Sequence, residues 1–237
     1  MHKSNLQVVA GFYLPTEARQ QTGHGTSFQP YARSPLHAFG LAAQARDQDD
    51  SCGVWMNELP LLGYIVVRGD AQDPTFNQAI LDVIGIALPT APSTFVPFQQ
   101  GIAVWQTPDE WLLVCTRPSS GAYFTELEAA LSSLHAQVVD NSGGLTTVYL
   151  SGDKHVDLLR HISVYDIESV TSGRAVGTVC HKANIVAVRH DNHGIFVIFR
   201  RSFADYLWLL MTKAARPYRL GISALSSRPS HPFLRLL

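Results

Sequence analysis

Two neighbouring acids, Asp109 and Glu110, lie at the centre of the segment WQTPDEWLLVC, which runs from Trp105 to Cys115. Paired carboxylates can act as a general acid and a general base when both side chains converge on one reacting point. Adjacent residues at a turn diverge, however, and Pro108 suits the second position of a type I turn. The pattern therefore favours a hairpin that joins two core strands.

Two tryptophans flank this turn and suggest a different use for it. Trp105 and Trp111 are six residues apart and lie where the two strands approach the turn. They could frame the strand ends and expose an aromatic patch. We therefore take Trp105, Asp109, Glu110 and Trp111 as candidate residues for contact with a partner protein.

Histidines and cysteines give two further candidates for chemistry. His190 and His193 lie three residues apart in RHDNHG and could ligate a metal with Asp191, but further ligands are missing and the segment suits a hairpin turn. Cys180 and His181 are neighbours, so on a strand their side chains point to opposite faces and cannot act as a thiolate and its base. We predict no metal site and no catalytic cysteine.

Asp140 is a minor candidate, because a carboxylate at the tip of a strand pair can bind a ligand. An Asp followed two residues later by Ser142 is more typical of a stabilised turn. The segments SGGL and SGD lack the flanking glycines and the lysine of a nucleotide-binding loop. The sequence therefore predicts no catalytic residue, no cofactor-binding residue and no flavin or nicotinamide bound by this chain alone.

The elements that must position these residues repeat in the order strand, strand, helix. Strands are predicted at CGVWMNEL and LGYIVVRGD, at IAVWQ and EWLLVC, and at AQVVDN and LTTVYLSG, each pair followed by a helix. The first helix has Asp73 as its N-cap, Pro74 at its first position and Gly85 after its end. Three more strands precede a closing helix, which a capping box of Ser202 and Asp205 begins. Antiparallel strand pairs with helices on one face make an α+β fold.

The two ends of the chain differ from its middle. Residues 1–33 are polar and turn-rich, which predicts a mobile N-terminal extension. The folded domain is expected over residues 34–220, with two possible halves at 34–135 and 136–220. Residues 221–237 carry no helix or strand pattern, and the apolar finish of this C-terminal tail could dock on a partner.

Composition narrows the function classes. The formal charge is -1, with 18 basic and 19 acidic residues, so no broad field attracts nucleic acid or an anionic membrane. With no apolar run long enough to span a bilayer, a cytoplasmic protein is expected. Charged residues make up 16% against the usual quarter or so, which suggests that partners cover part of the surface.

Several motifs, in order, resemble the gamma subunit family of heterotetrameric sarcosine oxidase. The most specific are RGD before the DPTF helix start, PDEWLL and RSFADYLW, at Arg68–Asp70, Asp73–Phe76, Pro108–Leu113 and Arg201–Trp208. The likeness extends over residues 34–219. It implies a fold similar to the folate-binding domain of the glycine-cleavage aminomethyltransferase.

The resemblance also implies a role. The family's enzyme has alpha, beta, gamma and delta subunits and oxidatively demethylates sarcosine to glycine, with tetrahydrofolate accepting the one-carbon unit and peroxide as product. FAD, FMN, NAD, zinc and tetrahydrofolate are expected in the other subunits, and the gamma chain is a non-catalytic part of this oxidoreductase. Two alternatives are the equivalent subunit of a related enzyme such as N-methylglutamate dehydrogenase, and a free-standing folate-dependent protein resembling the aminomethyltransferase.

Overall fold

The computed structural model describes the strands Leu6–Val9 and Phe12–Pro15 and residues 32–237, and the chain divides into two units, residues 1–34 and 35–237. In the first unit the two strands, β1 and β2, pair antiparallel, where the sequence had predicted no strand. Apart from these strands, the predicted mobile extension over residues 1–33 lies almost entirely outside the described residues.

The second unit is built on two β-sheets. Its strands are β3 (Val54–Leu59), β4 (Gly63–Arg68), β5 (Phe95–Phe98), β6 (Gly101–Thr107), β7 (Glu110–Cys115), β8 (Gln137–Asp140), β9 (Leu145–Ser151), β10 (Arg174–Cys180), β11 (Ala183–Arg189), β12 (Gly194–Arg200) and β13 (Leu220–Ile222). A six-stranded sheet has the order β10-β11-β12-β9-β3-β13, and a five-stranded sheet has the order β5-β6-β7-β4-β8. Pairing within both sheets is antiparallel except between β13 and β3.

Helices cover the outer face of each sheet. They are α1 (Leu41–Gln44), α2 (Pro74–Ile84), α3 (Arg117–Leu131), α4 (His155–Ile162) and α5 (Ala204–Ala214). One core cluster joins α4 and α5 to the six-stranded sheet, a second joins α2 and α3 to the five-stranded sheet, and a third lies between the sheets. The layers are therefore helix, sheet, sheet, helix, and the predicted α+β class with helices on one face of each sheet is confirmed. Among the described residues, none of the helices combines the length and apolarity needed to cross a bilayer.

The C-terminal residues pack on their own chain. Leu220–Ile222 form strand β13, so the predicted boundary between domain and tail falls inside a strand. Phe233 and Leu234 are buried in the core between the sheets, and the ring of Phe233 stacks on that of Phe196 at a centroid distance of 4.2 Å. The apolar finish that was expected to dock on a partner fills this chain's own core.

Strand pairing differs from the predicted pairs. β3 and β4 follow one another but belong to different sheets, and so do β8 and β9. The chain crosses between sheets at both links, so that β3 joins the sheet of the second half and β8 joins that of the first. Alternating polarity locates a strand but does not identify its neighbour, and for this reason the predicted halves 34–135 and 136–220 do not correspond to the two sheets.

Helix ends show where local rules hold. Asp73 caps α2 by accepting a hydrogen bond from the Thr75 amide at 2.7 Å, and Gly85 ends it in the left-handed conformation, both as predicted. The capping box at α5 is wrong, because Ser202 lies inside a 3-10 turn and has no cap bond. A capping residue needs a non-helical backbone, which Ser202 lacks here.

Candidate functional site

The segment WQTPDEWLLVC forms the hairpin of β6 and β7, as the sequence predicts. Pro108 and Asp109 make the two-residue turn, and a bulge between Trp105 and Thr107 leaves Gln106 without a strand partner. The hydroxyl of Thr107 donates to Asp109 Oδ1 at 2.7 Å, which closes the turn with a side-chain bond. The bulge tightens the local twist where the two acids emerge.

Arg68 lies between the two acids. Its Nη2 donates to Asp109 Oδ2 at 2.7 Å, and its Nε is 3.4 Å from Glu110 Oε2. The register of β4 on β7 sets Arg68 directly opposite Glu110, and the Gly69 amide donates to the Asp109 carbonyl at 3.1 Å. The two carboxylates therefore hold one guanidinium and do not converge on an open reaction centre.

The electrostatics support this interpretation. The hydrogen bond from Thr107, followed by that from Arg68, lowers the pKa of Asp109 below its ordinary value. A carboxyl group held in its ionised form carries no proton to donate near neutral pH, and its basicity is reduced. The arrangement suits an exposed ion-pair cluster rather than acid and base catalysis.

The two tryptophans lie in register across the hairpin, on the face that packs against α2 and α3. Trp111 is 1% exposed; its Nε1 donates to the Pro89 carbonyl at 2.8 Å and its ring lies 5.9 Å from that of Phe76. Trp105 is partly buried against the same cluster. The prediction of Trp111 as a contact residue is therefore wrong, since a large apolar ring on this face is needed in the core.

An open cleft of about 780 Å³ lies beside the turn. Its walls come from the loop Arg68–Asp73, from Pro108 and Asp109, and from residues 134–137 between α3 and β8. The carboxylates of Asp70, Asp73 and Asp109 outnumber the single guanidinium of Arg68 on this wall. Two of the sequence motifs that carry the family resemblance, RGD with DPTF and PDEWLL, thus meet at one surface feature.

Asp140 has the turn role that its sequence context favoured. The Ser142 amide donates to Asp140 Oδ1 at 2.9 Å, and the Ser142 hydroxyl donates to the same oxygen. The Ser142 hydroxyl oxygen in turn accepts from the Tyr64 amide at 3.0 Å. These bonds tie the end of β8 to β4 and occupy the carboxylate locally.

The histidine segment at the β11–β12 turn has a partner that sequence reasoning missed. Asp191 Oδ1 accepts from the His193 amide at 2.9 Å, which is a turn contact. His231, far along the chain, places its Nε2 3.8 Å from Asp191 Oδ2, and ligand atoms of His190, Asp191 and His231 lie within 4.8 Å of one another. No local pattern around His231 signals this approach.

The hydrogen bonds of His231 argue for a structural role. Its Nδ1 faces the amides of Phe233 at 3.1 Å and Leu234 at 3.2 Å, so the neutral ring carries its proton on Nε2. A metal at Nε2 would move that proton to Nδ1, against two N–H donors. Burial, together with the neighbouring His190, lowers the pKa of His231 to about 4. The ring holds the C-terminal segment in its neutral form.

The cysteine next to a histidine ends strand β10 and lies in the core, and His181 follows it in the turn. Cys180 is buried, and burial raises the pKa of its thiol to about 12. The ring of His181 contacts the Tyr206 hydroxyl instead. A thiol of this pKa is almost entirely protonated near neutral pH and is a poor nucleophile.

Comparison with known proteins identifies the family. Residues 68–216, more than half of the chain, match the sarcosine oxidase, gamma subunit family. The chain belongs to this family. Heterotetrameric sarcosine oxidase from Corynebacterium sp. U-96, solved with pyrrole 2-carboxylate, contains a chain similar to this gamma-family protein, with a TM-score of 0.70 and 22% identity. The match covers 81% of this chain and 99% of that one.

A second solved structure supports the predicted fold of this gamma-family chain. Glycine cleavage system aminomethyltransferase T from Bartonella henselae superposes with a TM-score of 0.57 and 13% identity. The match covers 93% of this chain and 55% of that one, so the gamma-family chain spans about half of the transferase. At this identity the likeness shows the fold alone. No curated protein matches the chain significantly by sequence.

Proposed function

We propose that this chain is the non-catalytic gamma subunit of a heterotetrameric sarcosine oxidase, assembled with alpha, beta and delta subunits. The observation that carries the proposal is the match to a chain of the Corynebacterium enzyme, which covers nearly the whole of that chain. Family membership over residues 68–216 supports the same role. The low share of charged residues, 16%, suits a chain whose surface is partly covered by other subunits.

A non-catalytic role is supported by how the chain uses its reactive groups. The acids that first suggested catalysis are engaged: Asp109 with Thr107 and Arg68, and Asp140 with Ser142. The thiols of Cys115 and Cys180 are buried, and burial raises both pKa values, to about 11 and about 12. The two carboxylates stabilise turns and the two thiols lie in the core, and in this proposal the partner subunits carry out catalysis.

The reaction of the complex is the oxidative demethylation of sarcosine to glycine, with tetrahydrofolate as one-carbon acceptor and peroxide as product. In this proposal FAD, FMN, NAD, zinc and tetrahydrofolate are held by the other subunits. The enzyme is cytoplasmic, and the free thiols of Cys52, Cys115 and Cys180 suit a reducing compartment.

The test is to express the chain alone and together with the alpha, beta and delta chains of the same organism. The complex should purify at the mass of a heterotetramer, absorb as a flavoprotein and form peroxide from sarcosine. The lone chain should show no flavin absorbance and should form no peroxide. A lone chain that bound flavin or oxidised sarcosine would remove the non-catalytic role. Preference for N-methylglutamate over sarcosine would instead favour the related dehydrogenase.

One observation favours a second candidate, a free-standing folate-dependent protein. The likeness to the aminomethyltransferase covers 93% of this chain. Calorimetry with tetrahydrofolate and the isolated chain separates the two proposals. Binding by the lone chain, with no complex formed on co-expression, would favour the free-standing protein.

A further inference from the structure

A groove opens between the two sheets at one end of the sandwich. It has a volume of about 550 Å³ and an apolar floor drawn from both sheets: Val66 and Leu112 on one side, and Leu145, Val186 and Ile198 on the other. Gln106 and Glu110 of the WQTPDEWLLVC hairpin form part of its rim. The inter-sheet groove and the open cleft of about 780 Å³ therefore both border the hairpin, since Glu110 lines the groove and Asp109 lines the cleft.

The opposite end of the same inter-sheet space is filled by the chain itself. Phe233 and Leu236 are buried there among residues of both sheets, and Arg235 donates to the carbonyl of Gly101 at 2.9 Å. Gly101 begins β6, whereas Gln106 near its other end lines the open groove. The sandwich thus accepts a short apolar segment, which ends in the 3-10 turn Leu234–Leu236 and carries the polar anchor Arg235, and leaves an open space at its other end.

The groove carries one charge without a partner. Arg200, at the end of β12, is exposed; its backbone pairs with Leu145 in the sheet, but its side chain has no hydrogen bond or ion pair to any of the described residues 32–237. Glu110, the acid among the lining residues, is already engaged by Arg68. A carboxylate on the occupant would therefore pair with Arg200, the one charged side chain of this rim that the described residues leave without a partner.

Gly177 leaves room at the wall of the groove. It lies on the edge strand β10 opposite Val186, and the alternation with Ala175, a core residue, turns it toward the inter-sheet space. A Cβ atom built at Gly177 meets no heavy atom within 4 Å. The wall is open because the backbone here carries no side chain, which suits close approach of another chain.

We propose that a segment of a partner subunit docks in this groove, placing apolar side chains between the sheets and a carboxylate against Arg200. The proposal rests on the proposed function, because it assumes the sarcosine oxidase complex. A short segment with apolar side chains and one carboxylate matches the apolar floor and the side chain of Arg200, much as Phe233–Leu236, with apolar side chains and the polar anchor Arg235, fill the other end.

The test uses full-length chains co-expressed with the alpha, beta and delta subunits. Gly177→Phe fills the groove, and Arg200→Glu reverses its unpaired charge. The matched controls are Gly121→Phe on α3, where a Cβ also meets nothing within 4 Å, and Arg216→Glu, an exposed arginine outside the groove. Thermal melting of each full-length chain checks that the fold is kept, and Arg200→Glu keeps the test decisive if Gly177→Phe unfolds.

We expect both groove variants to reduce the yield of assembled complex by about tenfold or more, because a like charge or a blocked pocket removes a desolvated contact, while both controls assemble as the unchanged chain does. Assembly of the groove variants at control levels would overturn the proposal. The proposal would also be overturned if the groove variants still assembled into the complex but lost a bound small molecule, or lost self-association of the chain, because the groove would then hold one of those occupants instead. If the unchanged chain itself fails to assemble, the proposed function fails, a result distinct from failure of the groove alone.

Discussion

Replacing Phe233 with alanine measures how firmly the C-terminal segment belongs to the core. Its side chain has no exposed surface and stacks on Phe196 at 4.2 Å with an interplanar angle of 8°. Truncating a buried phenylalanine costs about 3 to 5 kcal/mol in lost transfer energy and cavity formation. With about 2 to 4 °C per kcal/mol for a domain of this size, Phe233→Ala should lower the melting temperature by roughly 6 to 20 °C.

Thermal melting of the full-length chain measures the shift in melting temperature, and urea unfolding followed by tryptophan fluorescence measures the free energy. Leu237→Ala is the control, because that residue is 41% exposed and should change the free energy of unfolding by less than about 0.5 kcal/mol. A change in the midpoint at constant m-value would indicate a loss of stability alone. If Phe233→Ala unfolded like the unchanged chain, the C-terminal segment would not be part of the core, and the filled end of the inter-sheet space would be refuted.

Three further predictions concern the site residues. Trp111→Phe should cost about 1 to 3 kcal/mol in urea unfolding by leaving the Pro89 carbonyl unpaired, and no loss would contradict the core placement of the indole. Because the pKa of His231 is lowered to about 4 against its ordinary 6.5, the unfolded chain binds a proton that the folded chain does not between these pH values. Stability should therefore fall as the pH drops from 6.5 to 4, by at most about 1.4 kcal/mol per pH unit from this group, and His231→Asn should flatten the profile; an unchanged slope would refute this cause. Asp109→Asn in the assembled complex should leave sarcosine-dependent peroxide formation unchanged, whereas a large loss of turnover with assembly intact would give this acid a catalytic role.

Local patterns predicted most elements but not how they meet. Helix α2 follows from Asp73, Pro74 and Gly85 because caps and turn glycines act within a few residues. Sheet partners are set by contacts between distant parts of the chain. No local sequence pattern therefore predicted that β3 would join the six-stranded sheet and β8 the five-stranded sheet. The edge strand Phe95–Phe98 was hidden by Pro97, a residue that normally interrupts a strand and is tolerated at an edge.

The candidate site shows the same division. Turn chemistry at Pro108 predicted that Asp109 and Glu110 would diverge; in the structure Asp109 lines the cleft and Glu110 lines the inter-sheet groove, while both carboxylates contact Arg68. The burial of Trp111 depends on Phe76 and Pro89, which reach it from α2 and the segment that follows. Likewise, the approach of His231 to Asp191 requires the C-terminal segment to fold back, which only the packed structure reveals.

The central claim is that this chain works as a subunit, and the mass of the co-expressed complex tests it most directly. Native mass spectrometry should find this chain together with alpha, beta and delta chains in one heterotetramer that forms peroxide from sarcosine. A chain that purified alone as a stable monomer, while the other three assembled and turned over sarcosine without it, would contradict the account.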